Sequence, residues 1–198
     1  MRIVHISGVG AMMPRMISDR DEFKLEKLKD NIESTSSFLA RKPEILKLGE
    51  WQLLKAGNTI RLIDNGETLY HVKFETKAKK FWNSPKQAVQ VEVWKQYGSS
   101  DLTHGLPKAV FFNYLLEKYG AIICDYLHTE NGKRFWLDRL VEALKEGYDV
   151  FYGDYGSRKL TKIRDREELF SVYQELCWGT EQKHEYRRMA IIAMPSNH

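Results

Sequence analysis

The chain has 198 residues and a formal net charge of +4, with 42% hydrophobic and 12% aromatic residues. This composition argues against a disordered chain and allows one packed domain, alone or with an arm. The mild positive charge allows a polyanionic partner without requiring one. The two cysteines, Cys124 and Cys177, lie in apolar surroundings without zinc-type spacing, which predicts buried, reduced thiols and no metal site.

The apolar runs of the sequence bear on its location. The longest of them are far too short to span a bilayer. The N-terminus lacks the apolar segment and small-residue cleavage site of a signal peptide. We therefore expect a cytoplasmic protein with no membrane association.

Residues 1–50 differ in pattern from the rest of the chain. Residues 1–7 alternate like a short strand, and Ser18 can cap a helix that continues towards Phe38. The apolar face of this helix is thin, which is typical of an arm or a partner-binding element. We expect an arm over residues 1–50, available to a protein partner, and the main domain over 51–198.

Three strands open the main domain. Residues 59–64 and 68–76 are rich in β-formers and flank Asn65-Gly66, the strongest short signal for a β-hairpin. Residues 87–96 alternate, with Val89, Val91 and Val93 on one side.

The second half alternates helices with strands. Pro107 suits the first turn of a helix and Gly120 its end. The apolar periodicity predicts helices over 107–119, 131–146 and 166–177, and strands over 121–127, 150–152 and 187–194. The chain is therefore expected to have an α/β fold. A single mixed, mostly antiparallel central sheet would be flanked by helices, with an N-terminal helical arm.

Two turns that open predicted helices carry the functional signal. The first runs from Leu102 to Ala109 and the second from Thr129 to Trp136. The first turn of a helix presents free backbone N–H groups and the positive end of the helix dipole, which attract anions.

The element order and these two turns resemble the GNAT (Gcn5-related N-acetyltransferase) superfamily, over residues 59–194. In that family the first turn reads Gln/Arg-x-x-Gly-x-Gly/Ala and binds the pyrophosphate of coenzyme A. Here Gly105 matches the glycine, while Pro107 replaces the small last residue and removes an N–H donor. The charge of Lys108 would attract phosphate in its place, and His104 would bind an anion, act as a base or cap the helix.

The second family motif reads Asn-x-x-Ala-x-x-x-Tyr, where the tyrosine often protonates the departing thiolate. Thr129, Gly132 and Trp136 hold the three positions here. An indole N–H donates hydrogen bonds but is no practical acid. The alternative interpretation is that Trp136 is an aromatic side chain of the core. The resemblance implies acetyl-CoA or another acyl-CoA bound by His104, Gly105, Lys108, Thr129 and Trp136.

Acyl transfer also needs a base for the acceptor amine. Glu92 is the first candidate, because bases in this family often occupy the strand before the phosphate-binding turn. The alternative interpretation is that Glu92 is an exposed carboxylate on a strand, without a catalytic role. His128 is the second candidate, because it follows a predicted strand at an end where ligand clefts form.

Two functions remain open from the sequence. One is an acyl-CoA-dependent N-acyltransferase with an unknown acceptor. The other is a catalytically degenerate GNAT-fold module that binds a protein or a nucleic acid. Residues 119–136 also resemble bacteriophage proteins of GNAT-like fold, which implies a host-modulating protein in the host cytoplasm or a virion component. The basic and aromatic residues over 77–82 give weak support for nucleic acid.

Overall fold

The structure is a computed structural model that describes residues 15–16, 28–77, 87–96, 98–124, 127–128, 130–154, 157, 159–178 and 188–195. The strand predicted over 1–7, the start of the helix predicted at Ser18 and the basic segment 78–82 lie outside them. The strands are β1 (Arg15–Met16), β2 (Glu44–Leu48), β3 (Trp51–Ala56), β4 (Thr59–Asp64), β5 (Glu67–Lys77), β6 (Gln87–Lys95), β7 (Gly120–Cys124), β8 (Leu127–His128), β9 (Asp149–Asp154), β10 (Lys159–Ile163) and β11 (Arg188–Ala193). The helices are α1 (Leu28–Leu39), α2 (Ser100–Thr103), α3 (106–119, π-helical over Ala109–Leu116), α4 (Glu130–Lys145) and α5 (166–178, π-helical over Leu169–Tyr173).

A nine-stranded sheet organises the described part of the chain. Its strand order is β10-β9-β11-β7-β6-β5-β4-β3-β2, and β1 and β8 form a separate parallel pair. Within the large sheet every neighbouring pair is antiparallel except β6–β7, which is parallel from the Gln87–Gly120 pair to the Val91–Cys124 pair. The expected α/β class, with one mixed and mostly antiparallel sheet, is confirmed.

The hairpin between β4 and β5 forms at the predicted turn. Asn65 has φ 48° and Gly66 has φ 83°, so both central residues are left-handed. A two-residue turn of this kind matches the twist of the strands that it joins, which explains the preference for Asn-Gly. One irregularity lies beside the turn, because the β4–β5 register shifts between Leu62 and Ile63.

Three strands of the large sheet were missed from the sequence. Strands β2 and β3 pair from Glu44–Lys55 to Leu48–Trp51, and β10 pairs with β9. Because β2 belongs to the large sheet, the sheet continues across the boundary expected near residue 50. The alternation was weak because β2 and β10 are edge strands: β2 exposes Ile45 together with Glu44 and Lys47, and β10 exposes two lysines.

The pairing register defines two faces of the sheet. Tyr70, Val72 and Phe74 of β5 share one face with Val91 and Val93 of β6, since directly opposite residues point the same way. We call this the core face. The ring of Phe74 meets Tyr119 of α3 at 5.5 Å between centroids, so α3 packs on the core face.

Helix α1 packs on the opposite face, which we call the α1 face. Arg61 and His71 are directly opposite in the register and leave the sheet on this face. Asn31 of α1 reaches Thr68 of β5, donating from Nδ2 to the Thr68 carbonyl at 3.0 Å and accepting the Thr68 N–H at 2.8 Å. Polar contacts of this kind explain why the apolar stripe of α1 is thin.

Candidate functional site

The turn into α3 adopts the conformation that a glycine permits. Gly105 has φ +73°, and a Cβ atom at this position would lie 3.4 Å from the Trp51 ring. The left-handed conformation and the approach of Trp51 both favour glycine here. His104 precedes it and is exposed. The turn therefore exposes backbone at the start of α3, where the N–H groups lack intrahelical partners, although Pro107 contributes none.

Lys108 points away from this turn towards α4. Its ammonium forms ion pairs with Glu142, at 2.7 Å, and with Glu146. Hydrogen bonds from the ammonium to both carboxylates raise the pKa of Lys108. The residue is charged, as the sequence suggested, but two carboxylates already neutralise it. A phosphate would have to displace at least one of them to use this charge.

Trp136 lies in the core. Its side chain is 3% exposed and its ring packs edge-on against Phe111 of α3 and Phe135 of α4, with centroids 5.3 and 6.3 Å away. Edge-to-face packing of this kind is a favourable aromatic geometry. Packing in the core therefore explains the position of Trp136, and no ligand is needed to account for it.

Of the two candidate bases, Glu92 lies on the other face of the sheet from Trp136, and the side chain of His128 is not among those that the structure describes. Glu92 is partly exposed on β6, directly opposite Lys73 of β5, and therefore on the α1 face. Trp136 contacts α3, which packs on the core face. His128 belongs to β8, but its side chain is outside the described set, as is Thr129.

A cluster that the sequence did not single out lies under α1. Arg61 is 7% exposed and His71 is 8% exposed, next to each other across β4 and β5. Burial, and to a smaller extent the charges of Arg61 and Lys73, lower the pKa of His71 to about 3. His71 is thus a neutral, buried imidazole at physiological pH.

His71 should make stability depend on pH. Its pKa in the folded state, about 3, is below the value of about 6.5 in the unfolded chain. The unfolded state therefore binds the proton more readily, and the folded state loses stability as the pH falls below 6.5. We expect His71 to account for a loss of about 1.4 kcal/mol in the free energy of unfolding between pH 7.5 and 5.5.

Urea unfolding of the wild type and of His71→Gln at these two pH values measures this contribution. The wild type should lose more stability on acidification than the variant, by about that amount. The difference between the two pH values is compared, not the absolute stability, so any packing defect of the variant cancels. Equal losses in the two proteins would show that His71 titrates normally.

The described residues hold neither a metal cluster nor a membrane-spanning helix. Among them, no three His, Cys, Asp or Glu side chains are grouped so that they could hold a metal ion. In the same part of the chain, no helix is both long and apolar enough to cross a bilayer. Cys124 and Cys177 are buried, as expected, and are not joined in a disulfide.

Comparisons with known proteins do not show a family for this chain. No family model matches the chain, and no curated protein matches it. Among solved structures, a protein of unknown function from Aquifex aeolicus VF5 aligns with 83% of this chain and 79% of its own, at 16% identity and a TM-score of 0.37.

Proposed function

We propose that the protein is a GNAT-like, acyl-CoA-dependent N-acyltransferase whose acceptor is an amine. The observation that carries the proposal is the single parallel pair in an otherwise antiparallel sheet. Strands β6 and β7 form it, and the connection between them contains the left-handed Gly105 and α3. The elements follow the order expected from the family: an antiparallel meander, a strand, a glycine turn, a helix, and a second strand with its helix.

The carboxyl ends of β6 and β7 point to the same edge of the sheet, because the two strands are parallel. Ligand clefts in α/β sheets form beyond such ends. In the proposed complex the pyrophosphate of the acyl-CoA lies against the backbone of Gly105 and the first turn of α3. The acceptor amine would attack the thioester carbonyl, lose its proton to Glu92 or His128, and expel the coenzyme as a thiolate. The buried Trp136 would not protonate this thiolate, which would take its proton from water.

Binding of acetyl-CoA tests the proposal. Millimolar acetyl-CoA should raise the melting temperature of the wild type, and a ligand at a hundred times its Kd adds about 2.7 kcal/mol to stability. Gly105→Glu should abolish the shift, because it places a carboxylate where the pyrophosphate would bind.

Gly66→Glu is the matched control. Gly66 is also left-handed, at φ +83°, but lies in the β4–β5 turn, where a Cβ atom would meet nothing within 4 Å. Both variants place a glutamate at a left-handed position and add the same charge, so only Gly105→Glu should lose the acetyl-CoA shift. A wild type that acetyl-CoA leaves unchanged would contradict the proposal.

The second candidate is a GNAT-fold binding module without catalysis. Two observations favour it: Glu142 and Glu146 already neutralise Lys108, and Trp136 packs in the core at the position of the family's acid. In this case the fold would present a surface to a protein or nucleic-acid partner, and acetyl-CoA would shift neither the wild type nor the variants.

A further inference from the structure

A buried arginine without a counter-ion among the described residues lies between α1 and the sheet. The guanidinium of Arg61 donates from Nη1 to the Thr68 hydroxyl at 3.2 Å and from Nη2 to the Ser34 hydroxyl at 3.0 Å. Its Nε atom is buried and has no hydrogen-bond partner. Within the described part of the chain no carboxylate forms an ion pair with Arg61. A buried charge left in this state is costly.

A second positive charge lies nearby. The guanidinium carbons of Arg61 and Arg41 lie 4.8 and 5.9 Å from the centroid of the same ring, Phe38. Arg41 also donates from Nη2 to the Ala56 carbonyl at 3.0 Å. The carbonyl end of α1, at Leu39, supplies only about half a negative charge. Arg41 is exposed, so water screens its charge, whereas Arg61 is buried and no described carboxylate balances its charge.

His71 supplies a matching polar group. It stands directly opposite Arg61 across β4 and β5, and its Nδ1 atom is buried without a partner. A neutral imidazole carries its proton on either nitrogen. With the proton on Nδ1, His71 and the Nε–H of Arg61 present two neighbouring donors that lack acceptors.

We propose that Arg61 and His71, which lie between α1 and the β4–β5 pair, hold a small oxyanion. An oxyanion supplies what the cluster lacks: a negative charge and at least two acceptor oxygens. The oxyanion is a phosphate group or a carboxylate. The site lies on the α1 face, whereas α3 packs on the core face, so this inference does not depend on the proposed acyltransferase activity.

A buried water molecule is the competing occupant. With the proton of His71 on Nε2, one water could accept from Arg61 Nε–H and donate to His71 Nδ1. Water would satisfy the two atoms but would not balance the charge. The two occupants differ in one measurable respect. Anions can stabilise any protein non-specifically, but only a bound oxyanion gives an anion-dependent stabilisation that is lost when Arg61 is replaced.

Thermal unfolding in sodium phosphate, sodium acetate and sodium chloride, at pH 7.5 and equal ionic strength, tests the proposal. Inorganic phosphate should raise the melting temperature by about 2–4 °C once it exceeds its Kd about five-fold. An equal or larger rise in acetate would assign the site to carboxylates instead. If neither anion raises the melting temperature above that in chloride, the proposal is wrong.

Two variants and one spectrum locate the effect. Arg61→Gln should lose the anion-dependent rise, and Arg166→Gln, which removes an exposed arginine over Phe170, should keep it. If Arg61→Gln does not fold, the nitrogen-15 signals of His71 in the wild type decide the question. Phosphate or acetate should shift them while chloride does not. A rise that persists in Arg61→Gln, or His71 signals that no anion moves, would overturn the assignment.

Discussion

Trp136→Ala should lower the free energy of unfolding by about 3–5 kcal/mol, the usual range for removing a large buried aromatic side chain. The Trp136 side chain is 3% exposed and packs against Phe111, itself fully buried, and Phe135. Alanine would leave a cavity between α3 and α4, and the two helices could close it only if their backbones moved. Urea unfolding monitored by far-UV circular dichroism measures the loss.

Leu102→Ala is the control for this experiment. Leu102 is 55% exposed in α2, so its truncation should change stability by less than about 0.5 kcal/mol. A Trp136→Ala variant as stable as Leu102→Ala would show that the indole is not part of the core. The position would then be open to a ligand, as the family motif implies.

Asn31→Ala should lower the free energy of unfolding by about 2–4 kcal/mol. The amide of Asn31 is 1% exposed and bonds both backbone groups of Thr68. The pairing between β5 and β6 begins at Tyr70, so Thr68 lies outside it and has no paired residue on β6. Alanine would leave a buried N–H and a buried carbonyl without these bonds, and each such group costs about 1–3 kcal/mol.

Ser36→Ala on the same helix separates this effect from helix propensity. Ser36 is exposed, so the change should be neutral or slightly stabilising. Amide hydrogen exchange adds a local readout, since the Thr68 N–H should exchange faster in Asn31→Ala. An unchanged exchange rate at Thr68 would contradict the role given to Asn31.

The sequence was most informative where local chemistry determines structure. The Asn65-Gly66 turn needs two left-handed residues in succession, and few residue pairs other than Asn-Gly provide them. Pro107 and Gly120 likewise mark the two ends of α3, which runs over 106–119. Strand β10 was missed because its lysines resemble those of a charged helix face, and only pairing with β9 makes it a strand.

The Arg61 and His71 cluster could not be predicted in the same way. Alternation along β5 places His71 on one face, but the sequence does not reveal which residue stands opposite or that α1 covers the pair. Whether a described carboxylate comes close to Arg61 depends on how the whole chain packs, which local sequence patterns do not reveal. The ion pairs of Lys108 with Glu142 and Glu146 are also long-range contacts, so the sequence indicated its charge but not its partners.

The two outer strands of the large sheet also limit its growth. Strands β2 and β10 are each five residues long, and both carry exposed lysines: Lys47 on β2, Lys159 and Lys162 on β10. A strand from another copy that docked on either edge would have to desolvate an ammonium group. Short, charged edges of this kind discourage edge-to-edge aggregation, so the described sheet can remain open at nine strands without recruiting a tenth from a neighbour.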